Sequence, residues 1–170
     1  MLASVGAGLL AASTTIAFVR TRGYDVPPEK AARLRNLSPW QYVVLSAVAR
    51  RIAAPDVDDG SVPTADDVDV AGFLDGYLGN LPPDVRRDFL RLLAFVEHLA
   101  PLGCKLASRF TRLGPADQDR VLAALESSRE GLLRGGFDGL KAMVFMGYYR
   151  DARTWKIPGY AGPFVSAKAT

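Results

Sequence analysis

Residues 82–103 read PPDVRRDFLRLLAFVEHLAPLG, and the fold is decided here. Val85, Phe89, Leu92, Leu93, Val96 and Leu99 recur at the spacing of one helix face, with Arg, Asp and Glu between them. Pro82 and Pro83 stand where a helix begins, because the first turn leaves its N–H groups unpaired in any case. Pro101 and Gly103 stand where one ends. The stretch is predicted to be an amphipathic helix, and a helix with one apolar face needs other elements to bury it.

The neighbouring segments supply more of the same kind. Downstream, Gly114-Pro115 opens a helix carrying Val121, Leu122 and Leu125, with Asp117 and Asp119 placed favourably for its dipole. A last helix is expected from about Glu130 to Tyr149. Its first half holds Gly131, Gly135, Gly136 and Gly139, which either kink it or admit another backbone, while its second half, AMVFMGYY, is apolar nearly all round. Upstream, Ser38-Pro39 is an N-cap followed by a first-turn proline, and Leu45, Val48, Ala49 and Ile52 form the face of a helix stopping near Pro55. Val70, Phe73, Leu74 and Tyr77 mark a short helix ending around Gly79-Asn80. No strand-period run and no internal repeat occurs. The expected fold is all-α: an irregular bundle of about five helices, an apolar N-terminal helix, and an irregular tail holding Trp155, Ile157, Tyr160 and Phe164.

With 170 residues, 49% of them apolar and 23% charged, the chain has the size and composition of one globular domain, which excludes disorder. A mean hydropathy of +0.07 points to a greasy segment somewhere. That segment is Met1 to Val19, which has no charged side chain and is closed by Arg20 and Arg22. As a helix it would measure roughly 28 Å, enough to span a bilayer, although its many small residues equally suit packing against a partner. The organisation expected is thus an anchor or export-type helix over 1–19, a basic linker over 20–37 and a helical domain over 38–170.

Chemistry-bearing residues are sparse. One cysteine, Cys104, excludes an internal disulfide framework, and one histidine, His98, excludes most closed zinc sites. GxGxxG, GxxxxGK[ST] and GxSxG are absent. His98 and Cys104 are six residues apart with Pro101 and Gly103 between them, a poor basis for a catalytic dyad. The acidic run of Asp56, Asp58, Asp59, Asp66, Asp67 and Asp69 suggests calcium, but counting from Asp56 puts Gly60 and Ser61 where a calcium loop needs its fifth ligand and its turn glycine. Capping and solvation are the expected roles of those carboxylates. Charge is segregated along the chain, with residues 56–75 carrying seven acidic and no basic groups, as suits steering toward a partner or a plain solvated surface. Trp40, Tyr148, Tyr149, Trp155 and Tyr160 are the candidate partner-interface residues, because aromatics in a Pro/Gly-rich setting must dock on something. Catalytic, cofactor-binding and metal residues are expected to be none.

The order of four stretches carries a resemblance. LSPWQYVVLSAVARRIAAPD (37–56) is followed by an acidic loop and VAGFLDGYL (70–78), then by FTRLGPADQDRVLAAL (110–125) and FMGYYRDARTWKIPGYAGP (145–163). Together they resemble the gluconate 2-dehydrogenase subunit 3 family, small subunits of membrane-associated FAD-dependent sugar and alcohol dehydrogenases. The resemblance implies an all-helical accessory subunit with neither flavin nor haem of its own. It also implies a large FAD-binding partner of the glucose-methanol-choline oxidoreductase type, and a part in maturation and twin-arginine export to the periplasmic side of a bacterial envelope. No Arg-Arg pair precedes the apolar run in this sequence. A stand-alone membrane-anchored helical module, or an enzyme unrelated to redox chemistry, is the alternative from another class.

Overall fold

The computed structural model describes residues 23–54 and 60–162. The apolar segment 1–19, Asp56, Asp58, Asp59 and Phe164 lie outside the described residues. In chain order the helices are α1 (Pro28–Ala31), α2 (Pro39–Ile52), α3 (Val70–Leu78), α4 (Pro83–His98), α5 (Ala100–Gly103), α6 (Pro115–Glu126) and α7 (Gly131–Tyr149). Two 3-10 turns, Phe110–Arg112 and Ala152–Lys156, complete them, and no strand occurs among the described residues. Five of the helices are substantial and two are single turns, so the all-α bundle read from the sequence is the architecture found. No helix among the described residues is long and apolar enough to cross a membrane.

α2 is the central element, touching α3, α4, α6, α7 and the Phe110–Arg112 turn. It starts as its sequence dictates: Pro39 occupies the first turn, and Gln41 Oε1 accepts from the Ser38 backbone N–H at 2.8 Å and from its hydroxyl at 2.9 Å. Six successive residues, Val44 to Ala49, are buried, which is wider than the single face the periodicity suggested. Ser46, Ala47 and Ala49 are small enough to let neighbours close on every side of the helix.

On α4 the spacing was an incomplete guide. Phe89, Leu93 and Val96 are buried and Leu92 is half-buried, but Val85 is 47% and Leu99 53% exposed. Val85 lies in the first turn, and Leu99 is the residue between the end of α4 and the start of α5. α7 buries Phe137, Leu140, Val144, Gly147 and Tyr148. The close approach expected at Gly131, Gly135, Gly136 or Gly139 is found instead at Gly147, where an added Cβ would lie 3.0 Å from Val70 Cγ1 and 3.3 Å from the Phe73 ring on α3. At Gly131, Gly135 and Gly139 an added Cβ would meet nothing within 4 Å.

The segment ahead of α2, expected to be a linker, is fastened to α3 by one carboxylate. Asp75 is 4% exposed. Its oxygens accept from three successive backbone N–H groups, those of Arg35 (2.8 Å), Asn36 (2.9 Å) and Leu37 (2.7 Å). Its own carbonyl accepts from the Asn36 amide at 2.6 Å. Asp75→Ala strands those donors and is expected to cost about 3–5 kcal/mol in urea unfolding, with Asp75→Asn costing less because one acceptor survives. A loss below about 1 kcal/mol for the alanine variant would show that water replaces the carboxylate.

Candidate functional site

An aromatic face is built where α7 and the tail meet, and a separate ring pair lies on α3. On α3, Phe73 and Tyr77 are one turn apart and stack with centroids 6.1 Å apart, and the Arg150 guanidinium lies 4.9 Å over Phe73 while donating to the Val68 carbonyl at 2.7 Å. On α7, Phe145 and Tyr149 are again one turn apart, with centroids 5.7 Å apart. The tail continues the face with Trp155 and Tyr160, packed edge-on at 5.2 Å. Met146, Ile157 and Tyr160 are its exposed members, at 37%, 44% and 44%.

The tail holds its place by capping α7. A helix ends with carbonyls that have no partner inside it. Here the Trp155 indole N–H donates to the Tyr149 carbonyl at 2.7 Å, and the buried Thr154 hydroxyl lies 3.3 Å from the Tyr148 carbonyl and 2.7 Å from that of Asp151. The Asp151 side chain accepts from the Arg153 backbone and guanidinium, and those hydrogen bonds bring its carboxyl down to about 2. Tyr148, next to this face, is buried among the helices, and its hydroxyl donates to the Pro63 carbonyl at 2.7 Å. Burial is the main cause that raises its pKa.

The structure therefore brings Tyr148, Tyr149, Trp155 and Tyr160 together, with Tyr148 in the core, Tyr149 and Trp155 half-buried, and Tyr160 outward. Trp40 belongs to another ring cluster, 6.3 Å from Tyr24 and 5.9 Å from His98. Phe145 joins the face without having been offered as an interface residue, and Phe73 and Tyr77, read from the sequence only as helix-face residues, form their own pair, although the pairs 73/77 and 145/149 carry a one-turn spacing visible in the sequence.

The Trp40 cluster surrounds a fully buried carboxylate. Glu97 accepts from the Tyr24 hydroxyl (2.6 Å), the Thr111 hydroxyl (2.7 Å) and the Thr111 backbone N–H (3.0 Å), with the Arg109 guanidinium 3.5 Å away. Arg109 also lies 4.1 Å over the Tyr24 ring and donates to the Gly23 carbonyl at 3.2 Å. Burial, then the bond to Glu97, pushes the Tyr24 phenol well above its ordinary value. Nothing local in the sequence announces this group, since Tyr24 and Glu97 are 73 residues apart.

The described part of the acidic loop caps and pairs. Asp67 accepts from the Thr64 hydroxyl and backbone at 2.7 and 2.8 Å. Asp69, with left-handed φ of 48°, caps α3 through the Gly72 N–H and pairs with Lys30 at 2.8 Å. That pair lies at a cleft of about 430 Å³ lined also by Glu29, Arg33 and Asp75. Cys104 Sγ is 4.0 Å from the Arg120 carbonyl, whereas the His98 ring packs at a tilt against Trp40. Among the described residues no group of three or more His, Cys, Asp or Glu side chains is placed to hold a metal ion.

The fold and site thus define a small helical protein with a partly exposed group of aromatic rings on α7 and the tail. The profile of the family described as gluconate 2-dehydrogenase subunit 3 matches residues 39–160, more than two thirds of the chain, and the chain belongs to that family. The family name makes it a subunit of a dehydrogenase complex. No curated protein and no solved structure matches it.

Two outcomes test these assignments. Trp155→Ala removes a half-buried ring and a helix cap and is expected to cost about 2–3 kcal/mol in chemical unfolding, against about 0.5 kcal/mol for Tyr160→Ala. Equal costs for the two would refute the division of roles. For Tyr24 the folded pKa is raised, so its contribution is complete below the unfolded value near 10 and is lost as pH climbs through the folded one. Tyr24→Phe should cost about 1–3 kcal/mol at neutral pH and remove part of the alkaline fall in stability, read from melts at stepped pH.

Proposed function

We propose that this chain is a non-catalytic accessory subunit. It binds and stabilises a large flavin-dependent sugar or alcohol dehydrogenase of the glucose-methanol-choline type and helps it mature and reach the periplasmic side of the envelope. FAD resides in the large subunit and none in this chain. Family membership supports the dehydrogenase complex, and the aromatic face is the observation that carries the docking role. Rings held by helix caps and neighbouring rings lose little freedom on binding, which is why Tyr and Trp dominate interface energetics. Around the face, Arg153 pairs with Asp151 and Arg150 is bonded to Val68, so apolar contact rather than charge supplies the binding energy.

Co-expression with a large flavin-dependent dehydrogenase subunit of the glucose-methanol-choline type tests the proposal. Tyr160→Ala should weaken the complex by about 2 kcal/mol, roughly thirtyfold in Kd, while the isolated variant melts within about 3 °C of the parent. The purified chain alone should be colourless and inert toward sugars. Flavin eluting with it in stoichiometric amount, or capture of the flavoprotein unaffected by Tyr160→Ala, would overturn the respective part of the assignment.

A further inference from the structure

The outer side of α7 carries almost no charge. At about 100° per residue, Leu132, Gly135, Asp138, Gly139, Ala142 and Met146 fall within about 60° of one line along the helix, opposite the buried Phe137, Leu140 and Val144. All six are exposed, Leu132 at 89%, and Asp138 is the one charge among them. A helix face left to water is normally polar, so an apolar strip about 21 Å long calls for a cover.

Two glycines make the cover specific. Glycine in a helix interior is destabilising relative to alanine, yet a Cβ at Gly135 or Gly139 would meet nothing within 4 Å. The packing of this chain gives no reason for either of them. A second backbone lying across them does, because facing glycines let two helices approach more closely than the usual separation of roughly 8–10 Å. The flank of the strip adds charge. Arg134 is exposed and donates to the Ser128 carbonyl at 2.9 Å, and neither it nor Asp138 one turn later joins an ion pair among the described residues.

We infer that this strip is a self-association face, on which a second copy of the chain packs its own α7 antiparallel about a two-fold axis. An axis passing between Gly135 and Gly139 sets each of these glycines against the other one of the second copy. It also sets Leu132 against Ala142, a large side chain on a small one. Antiparallel helices bring like flanks together, so Arg134 of each copy reaches Asp138 of the other, and the pair forms twice. This self-complementarity selects a second copy over an unrelated protein: one strip supplies the large residue and the small one, the cation and the anion, at positions nearly symmetric about a single point. One helix face is smaller than the roughly 800 Å² that each partner gives to a standard interface, so the dimer is expected to dissociate in the range of tens of micromolar. The inference goes beyond the accessory-subunit reading and does not depend on it, because that reading is carried by rings at the other end of α7 and on the tail.

Sedimentation equilibrium of the full chain should show monomer and dimer in exchange. Gly135→Gln with Gly139→Gln should weaken the dimer at least about twentyfold without lowering the melting temperature, since glutamine is the better helix former and the site is open in the monomer. Asp138→Arg, which sets arginine against arginine, should weaken it about tenfold, and adding Arg134→Asp should restore it to within about threefold of the parent. Tyr160→Ala should leave the dimer unchanged, which separates a failure here from a failure of the accessory-subunit reading. Oxidation in a Cys104→Ser background reads the orientation. Leu132→Cys with Ala142→Cys should give a disulfide-linked dimer, since within one helix their Cα atoms lie about 15 Å apart, too far to bridge. Circular dichroism melts check folding, and the charge exchange serves if the glycine variant does not fold. A parent that stays monomeric up to about 1 mM, association indifferent to the glycine and charge variants, or cross-linking by Leu132→Cys alone, the mark of a parallel pair, would overturn the inference. A monomeric parent whose capture of the flavin-dependent subunit falls with Gly135→Gln and Gly139→Gln would give the face to that subunit instead.

Discussion

Glu97 is completely buried on α4, and a carboxylate taken out of water must have its charge and lone pairs satisfied or the site opens. Its partners come from far apart in the chain: Tyr24 ahead of all the helices, Thr111 in the turn between α5 and α6, and Arg109 beside it. Meeting that one requirement closes the bundle at this end. It fixes the Phe110–Arg112 turn against α4 and holds Gly23 and Tyr24 to the helices. Removing one partner leaves the others facing an under-solvated charge, so the group behaves as a unit.

Asp75 performs the same task at the other end of residues 23–37. Two buried carboxylates, one on α4 and one on α3, thus hold a segment whose only helix, α1, buries no residue of its own. Between them the Lys30–Asp69 pair adds a half-exposed contact. Exposed ion pairs of this kind, including Arg50–Asp66 and Lys141–Glu126, contribute little to stability individually. Part of the segregated charge visible in the sequence is used in such pairing, with Lys30 of α1 reaching Asp69 and Arg50 of α2 reaching Asp66.

α7 connects the core to the surface. One of its faces packs on α3 closely enough to require Gly147, and the adjoining turn presents Phe145 and Tyr149. The Pro- and Gly-rich tail has only the Ala152–Lys156 3-10 turn, too short to bury Trp155 by itself. It docks by giving the last carbonyls of α7 the donors they lack. A helix end and an aromatic face are therefore one construction.

Helix existence and type were legible in the sequence because periodicity, first-turn prolines and Ser38 are local signals, and α2, α3, α4, α6 and α7 begin and end near the expected residues. The family was legible too, from the order of four stretches. The grouping of Tyr148, Tyr149, Trp155 and Tyr160 followed from their nearness in the chain. Their division into core, support and exposed ring did not, since burial depends on what α3 and the Pro63 carbonyl contribute from some 70 to 85 residues away. The exposure of Val85 and Leu99, the pairing of Tyr24 with Glu97, and the three N–H groups on Asp75 were decided by the tertiary structure alone. A sequence states which side chains are apolar or charged along one helix. Which of them must be desolvated, and which distant donors then have to satisfy them, is settled only when the helices close on one another.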